Sequence, residues 1–189
     1  MNVVLITDIF GFCESLDELI LILKRQSIAV TVIDPYQRVR HSFGSEKEAY
    51  GMFVEKCGHD VYFSRAQSIL SKVKPSVLIG FSAGANVVWR LSSREGIYTQ
   101  RALCFYPTQI RHYQDLQPTM QMHVIFPHDE HTFDVDILSK KIKEYPNVKT
   151  EITIWEHGFM NKRDAAYTEE AQRWGLNVIA EEIRHSGMP

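Results

Sequence analysis

Val77-Leu78-Ile79-Gly80-Phe81-Ser82-Ala83-Gly84-Ala85-Asn86-Val87-Val88 is an apolar run that breaks at Gly-x-Ser-x-Gly and resumes with helix-like patterning. It reads as a strand, a sharp turn and a helix, with Ser82 at the turn. Glycine two residues either side of the serine suits that geometry, because the backbone is strained there and neighbouring elements come too close for side chains. The serine hydroxyl is then held out at the end of the sheet, and the Ala83 amide, at the helix start, can donate to a developing oxyanion. The pattern is the sequence form of a nucleophile elbow. Taken alone it also fits a tight connection in an α/β domain, so the rest of the chain has to decide.

At 189 residues, with no Pro/Ser/Gly-rich linker, the chain reads as a single domain over 1–189. A hydrophobic content of 44%, charged content of 23% and net charge of -2 are those of an ordinary globular protein, with no electrostatic reason to expect nucleic acid or a membrane as partner. The N-terminus lacks a basic segment, and its apolar run is too short for a signal or a spanning helix, so a cytoplasmic protein is expected. Cys13, Cys57 and Cys104 are odd in number and lack Cys-x-x-Cys spacing, which reads as free thiols in a reducing compartment.

Working outward from the elbow, Asn2 to Thr7 predicts a strand running into a loop at Asp8-Ile9-Phe10-Gly11. A capping-box pattern at Ser15 opens a helix to about Gln26, and Ile28 to Ile33 returns to β-branched character, completing a strand-helix-strand unit. Glu46 to Lys56 and Val61 to Val73 each fit a helix. After the elbow strand (Ser76 to Ile79) and helix (Ala83 to Ser93) come strands at Ala102 to Tyr106, Met122 to Phe126 and Thr150 to Trp155. Helices at Asp134 to Tyr145 and Arg163 to Ile183 follow the last two. About six strands alternating with helices predict a mostly parallel sheet covered on both faces, with ligands beyond the carboxyl ends of the strands.

That rule gathers Asp8 to Phe12, Gly80 to Gly84, Pro127 to Phe133 and Glu156 to Met160 onto one rim. An activated serine needs a base within hydrogen-bond reach, and the base needs an acceptor that fixes its tautomer. His157 follows the last strand and suits the first role. Asp129 and Glu130, after the preceding strand, suit the second. Serine, acid, histidine is the chain order of α/β-hydrolases.

Asp8-Ile9-Phe10-Gly11, Gly80-Phe81-Ser82-Ala83-Gly84-Ala85, Ala102-Leu103-Cys104-Phe105-Tyr106-Pro107 and His157-Gly158-Phe159-Met160-Asn161 together resemble the dienelactone hydrolase family of α/β-hydrolases, over nearly the whole chain. The resemblance implies Ser82 as nucleophile, His157 as general base, and the amides of Ile9 and Ala83 as oxyanion hole. Asp8 stands at a position usually held by glutamate; it and Phe10 are candidates for substrate contact. The family's best-known members use cysteine where this chain has Ser82, which points to an ester-cleaving relative rather than to dienelactone itself. Members typically show Gly-x-x-Asp at the acid; here Pro127 replaces that glycine and Glu130 falls in the acid slot, with Asp129 the alternative.

An acidic substrate group would call for arginines at the rim, and Arg65 and Arg163 are candidates by position. The reading is therefore a hydrolase of small carboxylic esters or lactones, acting through an acyl-enzyme and needing no cofactor. It would be a monomer or small homo-oligomer, compact and largely capless, with any cover drawn from Gln37 to Val73. Two other readings compete. His123, His128, Asp129, Glu130 and His131 crowd one strand end as metal ligands would, although alternation along the strand and an exposed loop explain them equally. The fold could also serve as an inactive ligand-binding module. Neither a phosphate-binding Gly-x-x-x-x-Gly-Lys-Ser/Thr loop nor a Gly-x-Gly-x-x-Gly fingerprint occurs.

Overall fold

The computed structural model describes residues 1–187. Its centre is a six-stranded sheet formed by β1 (Asn2–Ile6), β2 (Ala29–Ile33), β3 (Val77–Phe81), β4 (Arg101–Phe105), β5 (Gln121–Phe126) and β6 (Val148–Ile152). The strand order is β2-β1-β3-β4-β5-β6 and every pairing is parallel. Between and after the strands run α1 (Glu14–Arg25), α2 (Glu46–Lys56), α3 (Gly58–Leu70), α4 (Ala83–Leu91), α5 (Val135–Ile142) and α6 (Glu169–His185). The α/β-hydrolase architecture expected from the sequence is the one the chain adopts.

Residue alternation along the strands divides the core into two layers. Val4, Ile6, Leu78, Cys104 and Val124 face α2 to α5, whereas Val3, Leu5, Ile79, Leu103 and Ile125 face α1 and α6. With both faces covered, the strands are near-continuous apolar runs, as buried parallel strands must be. His123 is the polar exception on the second face. It is 4% exposed and lies between Glu182 of α6 (3.1 Å) and Glu151 of β6 (3.2 Å), with Arg101 of β4 joined to Glu182 at 2.9 Å. A buried imidazole with a carboxylate at each nitrogen is fully hydrogen-bonded, which is what makes its burial tolerable.

Helix starts follow local chemistry. Ser45, Asp134 and Thr168 cap α2, α5 and α6 by accepting from the amide three residues on. The clearest departure from the sequence reading is α6, which opens at Glu169 rather than Arg163. Residues 163–168 are instead held as a loop, with the Arg163 N–H on Asn161 Oδ1 and the Ala166 N–H on Asp164 Oδ1. The segment from Gln37 to Val73, the expected source of any cover, forms α2 and α3, and their Glu46, Tyr50 and His59 make one wall of a cleft over the carboxyl ends of the strands. Strand order reverses direction at β1/β3, and that switch point is where an open parallel sheet leaves a crevice.

Candidate active site

Ser82 leaves β3 with φ 48° and ψ -111°, a left-handed conformation that costs a non-glycine residue of order 1–3 kcal/mol and persists because its surroundings enforce it. The Ser82 N–H donates to the Phe105 carbonyl at 2.9 Å, extending the β3/β4 ladder by one residue. α4 then starts at once, packed so close to β1 that a Cβ at Gly84 would collide with the Ile6 and Thr7 carbonyl oxygens, and one at Gly80 with the backbone of Gly84 and Ala85. Those are the glycines of Gly-x-Ser-x-Gly. They let a strand, a turn and a helix occupy nearly the same space while the serine hydroxyl points outward.

Ser82 Oγ lies 2.9 Å from His157 Nε2, and His157 Nδ1 lies 2.6 Å from Glu130 Oε1. A carboxylate at Nδ1 holds the proton on that nitrogen and leaves Nε2 as the acceptor for the serine proton. Burial disfavours the charged imidazole, but the Glu130 hydrogen bond and charge outweigh it, so the His157 pKa is raised. The β5/β6 ladder brings the two loops together. Thr153 N–H donates to the Phe126 carbonyl and His128 N–H to the Trp155 carbonyl beyond the strand ends, so Glu130 and His157 emerge side by side. Among the described residues Asp129 makes no hydrogen bond to His157; it is exposed at the cleft edge, and of the two carboxylates Glu130 alone reaches the ring. The buried Tyr106, at φ 41° after β4, packs its ring edge-on to His157 with centroids 5.1 Å apart.

Ile9 and Ala83 line the same cleft as Ser82. Ala83 is the first residue of α4, where no helical carbonyl is available to its N–H. The Ile9 N–H belongs to the Asp8–Ile9 peptide, whose carbonyl accepts from Gly11 N–H at 3.2 Å and Thr7 Oγ1–H at 3.0 Å. In a planar trans peptide, fixing the carbonyl on one side aims the N–H to the other. Tyr36 Oη–H holds the next carbonyl, that of Ile9, at 2.6 Å.

Residues 2–185 match the family model described as the dienelactone hydrolase family. The chain belongs to the dienelactone hydrolase family. It is thus a hydrolase, and the family resemblance read from its motifs is correct. A curated relative, the uncharacterized protein YczH of Bacillus subtilis (strain 168), is 29% identical over 139 residues, covering 67% of each chain. Among solved structures, the fold is similar to a candidate dienelactone hydrolase from Klebsiella pneumoniae (TM-score 0.70, 14% identity, covering 95% of this chain and 85% of that one). It is also similar to the dienelactone hydrolase-like promiscuous phosphotriesterase P91 from metagenomic libraries (TM-score 0.68, 14% identity, 95% and 85% covered).

Several residues expected at this family member's site lie elsewhere. Asp8 is 8% exposed with its carboxyl group on the Phe10 N–H and Asn161 Nδ2, and Phe10 is 6% exposed and packs on Phe43; neither lines the cleft. Arg65 donates to the Asp34 and Pro35 carbonyls, where it closes the loop after β2. Arg163 pairs with Glu14 at 3.0 Å near the start of α1. Sequence position brought both arginines to the rim, but carbonyls and a carboxylate already hold them away from the serine. The histidine cluster also divides: His128 and His131 line the cleft, whereas His123 faces α6.

Other contributors escaped the sequence reading because long-range packing defines them. Asn161 donates to Asp8 Oδ2 at 2.6 Å, across 153 residues of chain. Asp164 lines the cleft and lies against the Gly158 Cα, where a Cβ would strike its carboxyl group; Gly158, at φ +82°, makes room for it. Tyr106 and Asn161 lie within two of the motifs quoted from the sequence, so their positions were visible although their partners were not. Among the described residues no helix is long and apolar enough to cross a membrane.

Proposed function

We propose that this family member is a serine hydrolase that cleaves small carboxylic esters or lactones through a Ser82-His157-Glu130 triad. The observation that carries the reading is the continuous hydrogen-bonded line from Ser82 Oγ through His157 to Glu130, at 2.9 Å and 2.6 Å. In the first half-reaction His157 Nε2 takes the proton from Ser82 Oγ as it attacks the carbonyl carbon. The Ile9 and Ala83 amides donate to the oxyanion, and the alkoxide leaves with the proton held on His157. In the second, His157 takes a proton from water, hydroxide attacks the acyl-serine, and the acid departs as Ser82 recovers its proton. Glu130 keeps its charge throughout and steadies the imidazolium.

The wall formed by α2 and α3 leaves the cleft open, which supports short, soluble acyl groups as substrates. Cys13, Cys57 and Cys104 are free and buried, which supports work in a reducing compartment. A series of p-nitrophenyl esters of rising acyl length tests the reading. The expected optimum is at acetate to butyrate; best activity on long acyl chains, or no turnover of any ester by the folded protein, would overturn it.

A further inference from the structure

The cleft around Ser82 is lined by the carboxyl groups of Glu46, Asp129, Glu130, Glu156 and Asp164, and none of the described residues lining it is a lysine or arginine. Of those five, Glu130 alone makes an ion pair among the described residues, with His157. The nearby guanidinium groups have partners of their own: Arg90 pairs with Asp60 at 2.9 Å and packs against the Phe63 and Tyr113 rings, and Arg111 donates at 2.6 Å to the carbonyl of Thr108, itself a cleft residue. A concave site with carboxylates of one sign raises the local concentration of cations and repels anions.

One neutral feature of the same cleft fits a cationic ligand. The half-exposed Tyr50 ring offers a π face of the kind that receives ammonium groups. Asn86, 2% exposed, adds no charge to this lining: its Oδ1 accepts the Gln109 N–H at 2.8 Å and its Nδ2 has no hydrogen-bond partner among the described residues. We propose that this cleft selects esters carrying an ammonium-type positive charge and excludes esters carrying a carboxylate. The proposal rests on the serine-esterase reading and adds the substrate class.

Three acetyl thioesters of similar size separate the two ideas: acetylthiocholine, its uncharged isostere 3,3-dimethylbutyl thioacetate, and the anionic 3-(acetylthio)propanoate. Thiol release gives kcat/KM for each, normalised to its rate of alkaline hydrolysis. At low salt the values should fall from cation to neutral to anion by about tenfold or more between the extremes. The spread should shrink at about 1 M salt, where screening acts over about 3 Å, and in the double variant Glu46→Gln/Glu156→Gln. Equal values for the three thioesters, or preference for the anion, would overturn charge selection while hydrolysis of the neutral thioester upholds the esterase reading. An undiminished spread in the double variant would overturn the assignment to these carboxylates. Failure to hydrolyse any of the three, with Ser82 unlabelled by a fluorophosphonate, would overturn both.

Discussion

Asn161 Nδ2 donates to Asp8 Oδ2 at 2.6 Å and so ties the loop after β1 to the loop after β6. The other Asp8 oxygen accepts the Phe10 N–H at 2.9 Å, and Asn161 Oδ1 accepts the Arg163 N–H at 2.9 Å. One buried carboxyl-amide pair therefore sets the spacing between the proposed oxyanion amide of Ile9 and the proposed base His157. Burial raises the Asp8 pKa to about 6, against the lowering effect of its Asn161 and Phe10 bonds.

The folded protein thus holds the Asp8 proton more tightly than the unfolded chain, whose ordinary value is 3.8. By linkage, this contribution to stability is fully present below about 3.8 and is lost as pH rises through about 6. Asn161→Ala removes a donor that favours the ionised form. It should cost about 2 kcal/mol at pH 7.5 and clearly less at pH 4, as read from urea denaturation at the two pH values. An equal loss at both would mean that the amide serves packing alone.

Glu130→Gln should lower kcat by about three to four orders of magnitude, because a neutral partner neither fixes the Nδ1–H tautomer nor steadies the imidazolium. Asp129→Asn should stay within a few-fold of the parent. The raised His157 pKa places the rise of kcat/KM with pH above the ordinary 6.5. Loss of the Glu130 charge should move that midpoint to lower pH. The His157–Glu130 attraction stabilises the fold fully below about 6.5 and loses its effect as pH climbs through the raised folded value. Steady-state pH profiles of the two variants provide the check.

Gly84→Ala places a methyl group against the Ile6 and Thr7 carbonyl oxygens, and neither the β1 backbone nor the start of α4 has room to move. A loss of about 3 kcal/mol or more is expected, visible as a lower denaturation midpoint. Gly96→Ala, at a turn with open space around the Cα but a φ of +81°, should cost only about 1 kcal/mol.

On the far face of the sheet, Glu182 receives His123 and Arg101 together, and the His123 hydrogen bond chiefly holds its pKa below the ordinary 4.5. That stability is present above about 4.5 and lost as pH falls through the lower folded value. Glu182→Ala should cost about 2–3 kcal/mol at neutral pH, measured by denaturant titration, with kcat on a short ester preserved.

Local backbone demands made much of this legible in the sequence. The elbow glycines, the β-branched strand runs and the histidine after the last strand each leave a mark within a few residues, which is why the fold class and the Ser82/His157 pair could be read directly. What escaped depends on partners far along the chain. Whether Asp129 or Glu130 meets His157 is decided by how far the β5/β6 ladder continues past Phe126, and whether Arg65 and Arg163 reach the rim by which carbonyls and carboxylates they meet first. The start of α6 shifted for the same reason. Asp164 is held against Gly158, and no helical periodicity in residues 163–168 reveals that contact.

The role of Ser82 is tested most directly by mass spectrometry of the folded protein after reaction with a fluorophosphonate. The expected result is one adduct on the peptide carrying Ser82, absent from Ser82→Ala and strongly slowed in His157→Ala, with ester turnover lost in step. An unlabelled Ser82 in folded protein, or a Ser82→Ala variant that hydrolyses short esters at the parent rate, would contradict it.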